Sequence, residues 1–145
     1  MKVVFGCDHA GFVLKKVVVD HLIEMGHDVV DVGCYTPESV DYPRMGEKAA
    51  RKVASGECEM GVLICGTGIG ISMAANRVRG VRAAVCSEPY SAELSRRHNN
   101  ANMIAFGARV VGEGLACSIL DAFFTAEFEG GRHAARVGLI ENIEP

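Results

Sequence analysis

The chain has 145 residues, 49% hydrophobic and 23% charged, with a formal net charge of −3. This length suits a single domain over residues 1–145 with a real core, and the balance is globular, with no disordered tail implied. The mildly acidic charge argues against nucleic acid as the main partner, and no apolar run approaches the roughly 18 residues needed to span a membrane.

The segment Met1–Cys7 holds too short an apolar run for a signal peptide and reaches Asp8 at once, so a cytoplasmic protein is expected. Six cysteines (Cys7, Cys34, Cys58, Cys65, Cys86 and Cys117) include no Cys-x-x-Cys pair. That spacing suits neither a structural zinc site nor a disulfide scaffold, and most of these residues read as small buried apolar groups.

In chain order, β-rich apolar runs at Lys2–Cys7, Asp28–Val32, Gly61–Cys65, Val81–Cys86 and Met103–Phe106 read as strands. Between them, Phe12–Met25, Pro43–Ala54, Ile69–Val78, Tyr90–Asn99 and Gly114–Phe124 read as helices. In the first of these, Leu14, Val17, Val18, Leu22 and Met25 repeat at helical spacing while Lys15, Lys16 and Glu24 fall off the stripe. Gly26, Gly56 and Gly80 stand where helices should stop. The tail from Gly130 to Pro145 opens on Gly-Gly and then reads as a short helix carrying Arg132, His133 and Arg136.

Alternation of this kind predicts an α/β fold: a doubly wound, Rossmann-like or flavodoxin-like sheet of five parallel strands with helices on both faces and a C-terminal tail helix. The flavodoxin-like order 2-1-3-4-5 is expected, which opens a binding crevice at the carboxyl ends of strands 1 and 3. Asp8 and His9 end the first of those strands, and Cys65-Gly66-Thr67-Gly68-Ile69-Gly70 end the other.

Three glycines in five residues between a strand and a helix let backbone N–H groups converge on an anion, although a plain tight turn would use the same residues. The spacing is not the dinucleotide-binding pattern, and no Gly-Lys-Ser/Thr follows to make a P-loop. Cys65 faces the start of the next helix, whose dipole favours a thiolate. A low-molecular-weight phosphatase would also place a cysteine here, but it needs an arginine where this chain has Ile71.

Other candidates are ambiguous alone. Asp8 suits an N-cap, and His98 with Asn99 at a helix end can answer the dipole. Arg132 and Arg136, four apart on one helical face, either grip one phosphate or form a solvated basic face, and Arg109 is undecided by itself.

Taken together, Phe5-Gly6-Cys7-Asp8-His9-Ala10-Gly11, Asp41-Tyr42-Pro43, the Cys65–Gly70 loop, Arg96-Arg97-His98-Asn99 and Glu129-Gly130-Gly131-Arg132-His133 closely resemble ribose-5-phosphate isomerase type B, essentially end to end. The resemblance implies an aldose–ketose isomerase working through a cis-enediolate, without cofactor or metal. Cys65 would be the base and His98 the acid that opens the sugar ring. Asp8, His9, Gly66, Thr67, Gly68, Ile69, Gly70, Asn99, Arg109, Arg132 and Arg136 would bind substrate, with Tyr42 bordering the pocket. A branch of the family uses a glutamate in the glycine loop, but Ile71 follows Gly70 here, which leaves Cys65.

Ribose 5-phosphate is the substrate first expected. A hexose 6-phosphate, such as allose or galactose 6-phosphate, is the alternative, and a non-catalytic phosphosugar-binding module is the reading from a different class. The family further implies a homodimer or dimer of dimers with the site shared between chains. No ligand cluster for a metal is evident in the spacing.

Overall fold

The computed structural model describes residues 1–144. Its strands are β1 (Lys2–Cys7), β2 (Asp28–Asp31), β3 (Met60–Cys65), β4 (Ala83–Val85) and β5 (Met103–Gly107). The helices are α1 (Phe12–Glu24), α2 (Tyr42–Ala54), α3 (Ile69–Ala75), α4 (Pro89–Arg97), α5 (Glu113–Thr125) and α6 (Arg132–Glu141). All strand pairings are parallel, so the α/β fold expected from the sequence holds, and α6 is the tail helix.

The strand order is β2-β1-β3-β5-β4, not the expected 2-1-3-4-5. Burial explains the exchange. Every residue of β5 is buried, as an interior strand with two neighbours requires, whereas β4 is three residues long and leaves Val85 42% exposed, as an edge strand can.

The switch point still lies between β1 and β3. Val3 pairs with Met60 and Cys7 with Ile64, which brings Asp8 beside the end of β3.

Side chains alternate between two cores. Val3, Phe5, Val62, Ile64, Ile104 and Phe106 pack with Leu14, Val18 and Leu22 of α1 and Ile119 and Phe123 of α5. On the opposite face, Val4, Leu63, Cys65, Met103 and Ala105 pack with Ala49 and Val53 of α2 and Ile71 and Ala75 of α3. The same alternation therefore turns Cys65 toward α2 and α3.

Three glycines allow the strand ends to approach one another. A methyl at Gly11 would lie 2.6 Å from the Ile64 carbonyl oxygen, and one at Gly68, where φ is +81°, would lie 2.7 Å from Phe106 backbone atoms. At Gly107 it would lie 2.5 Å from Thr67 Cα and 2.6 Å from the Gly66 oxygen. Backbone atoms have nowhere to retreat, so Gly107→Ala should destabilise the protein by about 1–3 kcal/mol, the usual cost of overpacking. Gly114→Ala, at an exposed position in α5 with open space around it, should instead be neutral or stabilise by up to about 1 kcal/mol. Urea unfolding of the two variants beside the parent checks both expectations.

Candidate active site

At the carboxyl ends of β1, β3 and β5, the chain assembles most of the expected substrate-binding residues. Asp8 is buried, and its Oδ1 accepts the Gly11 N–H at 3.1 Å. Asp8 is not the N-cap of α1, a position held by Gly11; its carboxylate braces the turn before that helix.

The His9 Nδ1 accepts the Val40 N–H at 3.2 Å. In the neutral ring the proton therefore sits on Nε2, which is left free to donate.

Val40 belongs to the loop after β2, which Lys15 ties down through an ion pair to Asp31 (2.6 Å) and a hydrogen bond to the Cys34 carbonyl (2.8 Å). Asp8, His9, Val40, Tyr42 and Arg44 line an open cleft of about 460 Å³.

Beside it, Cys65 is 5% exposed, and its Sγ accepts the Gly68 N–H at 3.1 Å. Burial pushes Cys7 up to about 12 and Cys86 up to about 11, and it also raises Cys58 and Cys117, so these four stay protonated near neutral pH. Cys34 donates to the Asp8 carbonyl at 3.0 Å. Cys65 is thus the cysteine whose sulfur receives a backbone donor inside the glycine loop.

Thr67 Oγ1 accepts the Ile69 N–H at 3.2 Å, holding the exposed turn of that loop. Arg109 reaches the loop from β5: its N–H donates to the Gly66 carbonyl at 3.1 Å, and its guanidinium lies against Gly66. Tyr42 covers the other side, with its ring where a Gly70 side chain would project.

His98, Asn99, Arg132 and Arg136 lie elsewhere. The helix α4 starts near the carboxyl end of β4 and returns along the sheet, so its C-terminal residues sit at the amino end. The turn after α4 is fastened there: Gly61 N–H donates to the Asn102 carbonyl, and Arg82, just before β4, binds Asn100 and Asn102.

Cys65 meets the other end of β5 through the Ala108 N–H. Strands rise by roughly 3.3 Å per residue, so about 13 Å of β3, from Gly61 to Cys65, separates the two levels. One chain therefore does not bring His98 to its own Cys65.

The second pole is equally well built. His98 caps α4, and buried Arg96 donates to Asn100 Oδ1 (3.0 Å) and the Ala101 carbonyl (2.6 Å), holding the turn in which Asn100 takes φ +48°. The His98 ring stacks on His133, with centroids 4.2 Å apart and planes 5° apart. Glu129 approaches both rings and is held by Arg97 Nε at 2.8 Å. Arg132 and Arg136 are exposed on α6, and among the described residues neither forms an ion pair. A groove of about 470 Å³ runs beside this pole, lined by Arg97 and residues Thr125 to Glu129.

A sequence profile of the family described as Ribose/Galactose Isomerase matches residues 3–140. The chain belongs to the ribose/galactose isomerase family. It is 56% identical to ribose-5-phosphate isomerase B of Escherichia coli over 143 residues, covering 99% of this chain and 96% of that one. A galactose-6-phosphate isomerase subunit of Clostridium acetobutylicum is 40% identical over 146 residues, covering 99% of this chain and 84% of its own. Ribose-5-phosphate isomerase B of Clostridium thermocellum superposes with a TM-score of 0.96 at 55% identity, covering 97% of this chain and 95% of that structure.

Sequence reasoning left three residues of this family member without a role. Tyr42 was expected only at the border of the pocket; its signal is the missing side chain at Gly70. Glu129 and His133 stood in a quoted motif, and their convergence with His98 depends on how α6 packs, which local spacing does not reveal.

Burial, and then the neighbouring His98, hold the His133 imidazole below its ordinary value of 6.5. The unfolded chain therefore takes up this proton more readily than the folded one. Stability from this group is complete above about 6.5 and falls as pH drops through that value toward the lower folded-state value. Thermal melts between pH 7.5 and 5 should show the parent losing more Tm than His133→Asn; parallel losses would remove His133 as a source of acid sensitivity.

Proposed function

We propose that the chain interconverts ribose 5-phosphate and ribulose 5-phosphate, with Cys65 as base and His98 as the group that opens the sugar ring. The observation that carries the chemistry is the Cys65 sulfur under the Gly68 N–H, beside Asp8, His9 and Tyr42. Similarity to the ribose-5-phosphate isomerases supports the pentose.

The closed furanose has no free carbonyl, so ring opening comes first. His98 gives a proton to the ring oxygen as its bond to C1 breaks, water takes the proton of the anomeric hydroxyl, and C1 becomes an aldehyde. Imidazole suits this exchange near neutral pH. Thiolate Cys65 then removes the proton from C2, and the electron pair moves to form a cis-enediolate.

Backbone donors of Gly66 to Gly70, with the Thr67 hydroxyl, answer the charge on its oxygens without reorganising. The Cys65 thiol returns its proton to C1, the proton of the C2 hydroxyl passes to the C1 oxygen, and closure of the C2 carbonyl gives the ketose. His9, Arg109, Arg132 and Arg136 hold the phosphate, Asp8 and Asn99 the hydroxyls, and this remote binding positions C2 against the sulfur. The scheme needs no metal or cofactor.

The placement of His98 and Cys65 at opposite ends of the sheet supports a two-fold dimer with each site shared. The amino-end pole of one copy would cover the carboxyl-end crevice of the other, twice over by symmetry. This reading rests on the length of the parallel sheet.

The 40% identity to a galactose-6-phosphate isomerase subunit favours a hexose 6-phosphate as the second reading. Comparing kcat/KM for ribose 5-phosphate, allose 6-phosphate and galactose 6-phosphate decides between them. Binding without turnover of any would favour a phosphosugar-binding module instead.

Cys65→Ser should abolish turnover while leaving substrate affinity within a few-fold, because a hydroxyl is a far weaker base but preserves the loop. Near-normal kcat would remove Cys65 from the mechanism. Co-refolding Cys65→Ser and His98→Asn chains in equal amounts should restore roughly a quarter of parental activity, since half the dimers are mixed and each has one intact site. The His98→Asn background, which includes spontaneous ring opening, is subtracted first. Background-level activity in proven heterodimers would exclude the shared site.

A further inference from the structure

At the amino-end pole, three potential ligands from three segments converge. His98 follows α4, Glu129 lies in the loop before α6, and His133 sits in the first turn of α6. His98 Nε2 is 3.6 Å from Glu129 Oε2, and His133 Nε2 is 3.6 Å from Glu129 Oε1. Ligand atoms of all three lie within 4.8 Å of one another. Both contacts are too long for hydrogen bonds, so neither ring nitrogen is spent on the carboxylate.

The near-parallel rings set their edges side by side along it. Arg97 steadies the carboxylate from behind: its Nε binds Oε2, and its carbonyl accepts the Glu129 N–H at 3.0 Å.

Metal–ligand bonds of about 2.0–2.1 Å in a tetrahedron put the ligand atoms roughly 3.3 Å apart. Two edges of this triangle are within a few tenths of an ångström of that spacing, and modest side-chain rotation closes the third. The His133 side chain is 11% exposed, whereas those of His98 and Glu129 are 37% and 36% exposed. The triangle is thus backed by protein and open on one side, where water completes a coordination sphere.

Two imidazoles and one carboxylate suit a borderline cation; Mg²⁺ and Ca²⁺ prefer sites built of oxygen. Arg97, on Glu129 Oε2 at 2.8 Å, competes with a cation for that oxygen, whereas Arg132 and Arg136 are exposed and screened by water.

We propose that His98, Glu129 and His133 form a site for a divalent transition-metal cation of the Zn²⁺ type, and that occupancy inhibits isomerisation by occupying His98. The inhibitory half rests on the ring-opening role of His98; the binding half does not.

The probe is Zn²⁺ alone, in equilibrium dialysis with the whole protein at pH 7.5, with Co²⁺ absorption to identify the ligands. The expected result is one ion per chain, with weak visible bands and no intense thiolate-to-metal band. His98→Gln, Glu129→Gln and His133→Gln, each shown to be folded by circular dichroism, should weaken affinity at least tenfold, while Cys117→Ser leaves it unchanged. Parental turnover should fall in step with occupancy and return on adding a chelator. Absence of uptake, parental affinity in the three variants, or a thiolate signature would overturn the site. Full turnover at full occupancy would overturn the inhibition. A protein that takes up Zn²⁺ as expected but isomerises no sugar phosphate would sink the enzymatic reading while leaving the site in place.

Discussion

In a wholly parallel sheet, a chain leaving one strand must travel back the length of the sheet before it can start the next. Here that return is made by helices, so every strand-to-helix turn lies at one pole and every helix-to-strand turn at the other. The Cys65 loop, Asp8, His9 and Arg109 follow strands and share the first pole. His98 and Asn99 follow a helix and fall at the second, where α6 adds Arg132 and His133. No adjustment of side-chain rotamers crosses the roughly 13 Å between them. The separation is a property of the topology, and a dimer is the simplest arrangement that reunites the two halves.

The carboxyl-end pole is rigid because three strand ends interlock without side chains between them. Gly11 lies against Ile64, Gly68 against Phe106, and Gly107 against Thr67 and Gly66. Close packing has a chemical consequence. It fixes the Gly68 N–H on the Cys65 sulfur and holds the neighbouring amides in place before any ligand arrives, and pre-positioned dipoles of this kind stabilise developing charge without reorganisation. Tyr42 and the loop pinned by Lys15 then wall the cleft from the side of α2 and β2.

The elements themselves were legible in the sequence because their signals are local. Apolar runs of four to six residues became β1, β3 and β5, and α1 and α2 end next to Gly26 and Gly56, both at positive φ. Strand order was not legible. It turns on whether Val81–Cys86 or Met103–Phe106 lies inside the sheet, and both read as short apolar runs; only β5 is buried throughout. The carboxyl-end half of the candidate site could be located because strand ends at a switch point are predictable positions. Glu129 could not, since its meeting with His98 and His133 depends on where the loop before α6 meets the end of α4, which leaves no periodic trace.

The same division bears on substrate choice. With the site shared as proposed, Arg132 and Arg136 come from one copy, and the Cys65 sulfur with Arg109 from the other. The distance between phosphate and thiol, which decides whether a pentose or a hexose places C2 against the base, is then set by how two chains dock. A single extra carbon lengthens an extended sugar by only about 1.3 Å, well within what a slight shift between subunits supplies. On the proposed shared site, the ruler for sugar length lies in the interface and not in any one residue of the loop. This places discrimination in the exposed surface of α6 and the turn after α4. Substitutions there would move the phosphate relative to the sulfur while leaving the bond-making groups intact, and such changes alter the ratio of kcat/KM between sugars more than the chemical step itself.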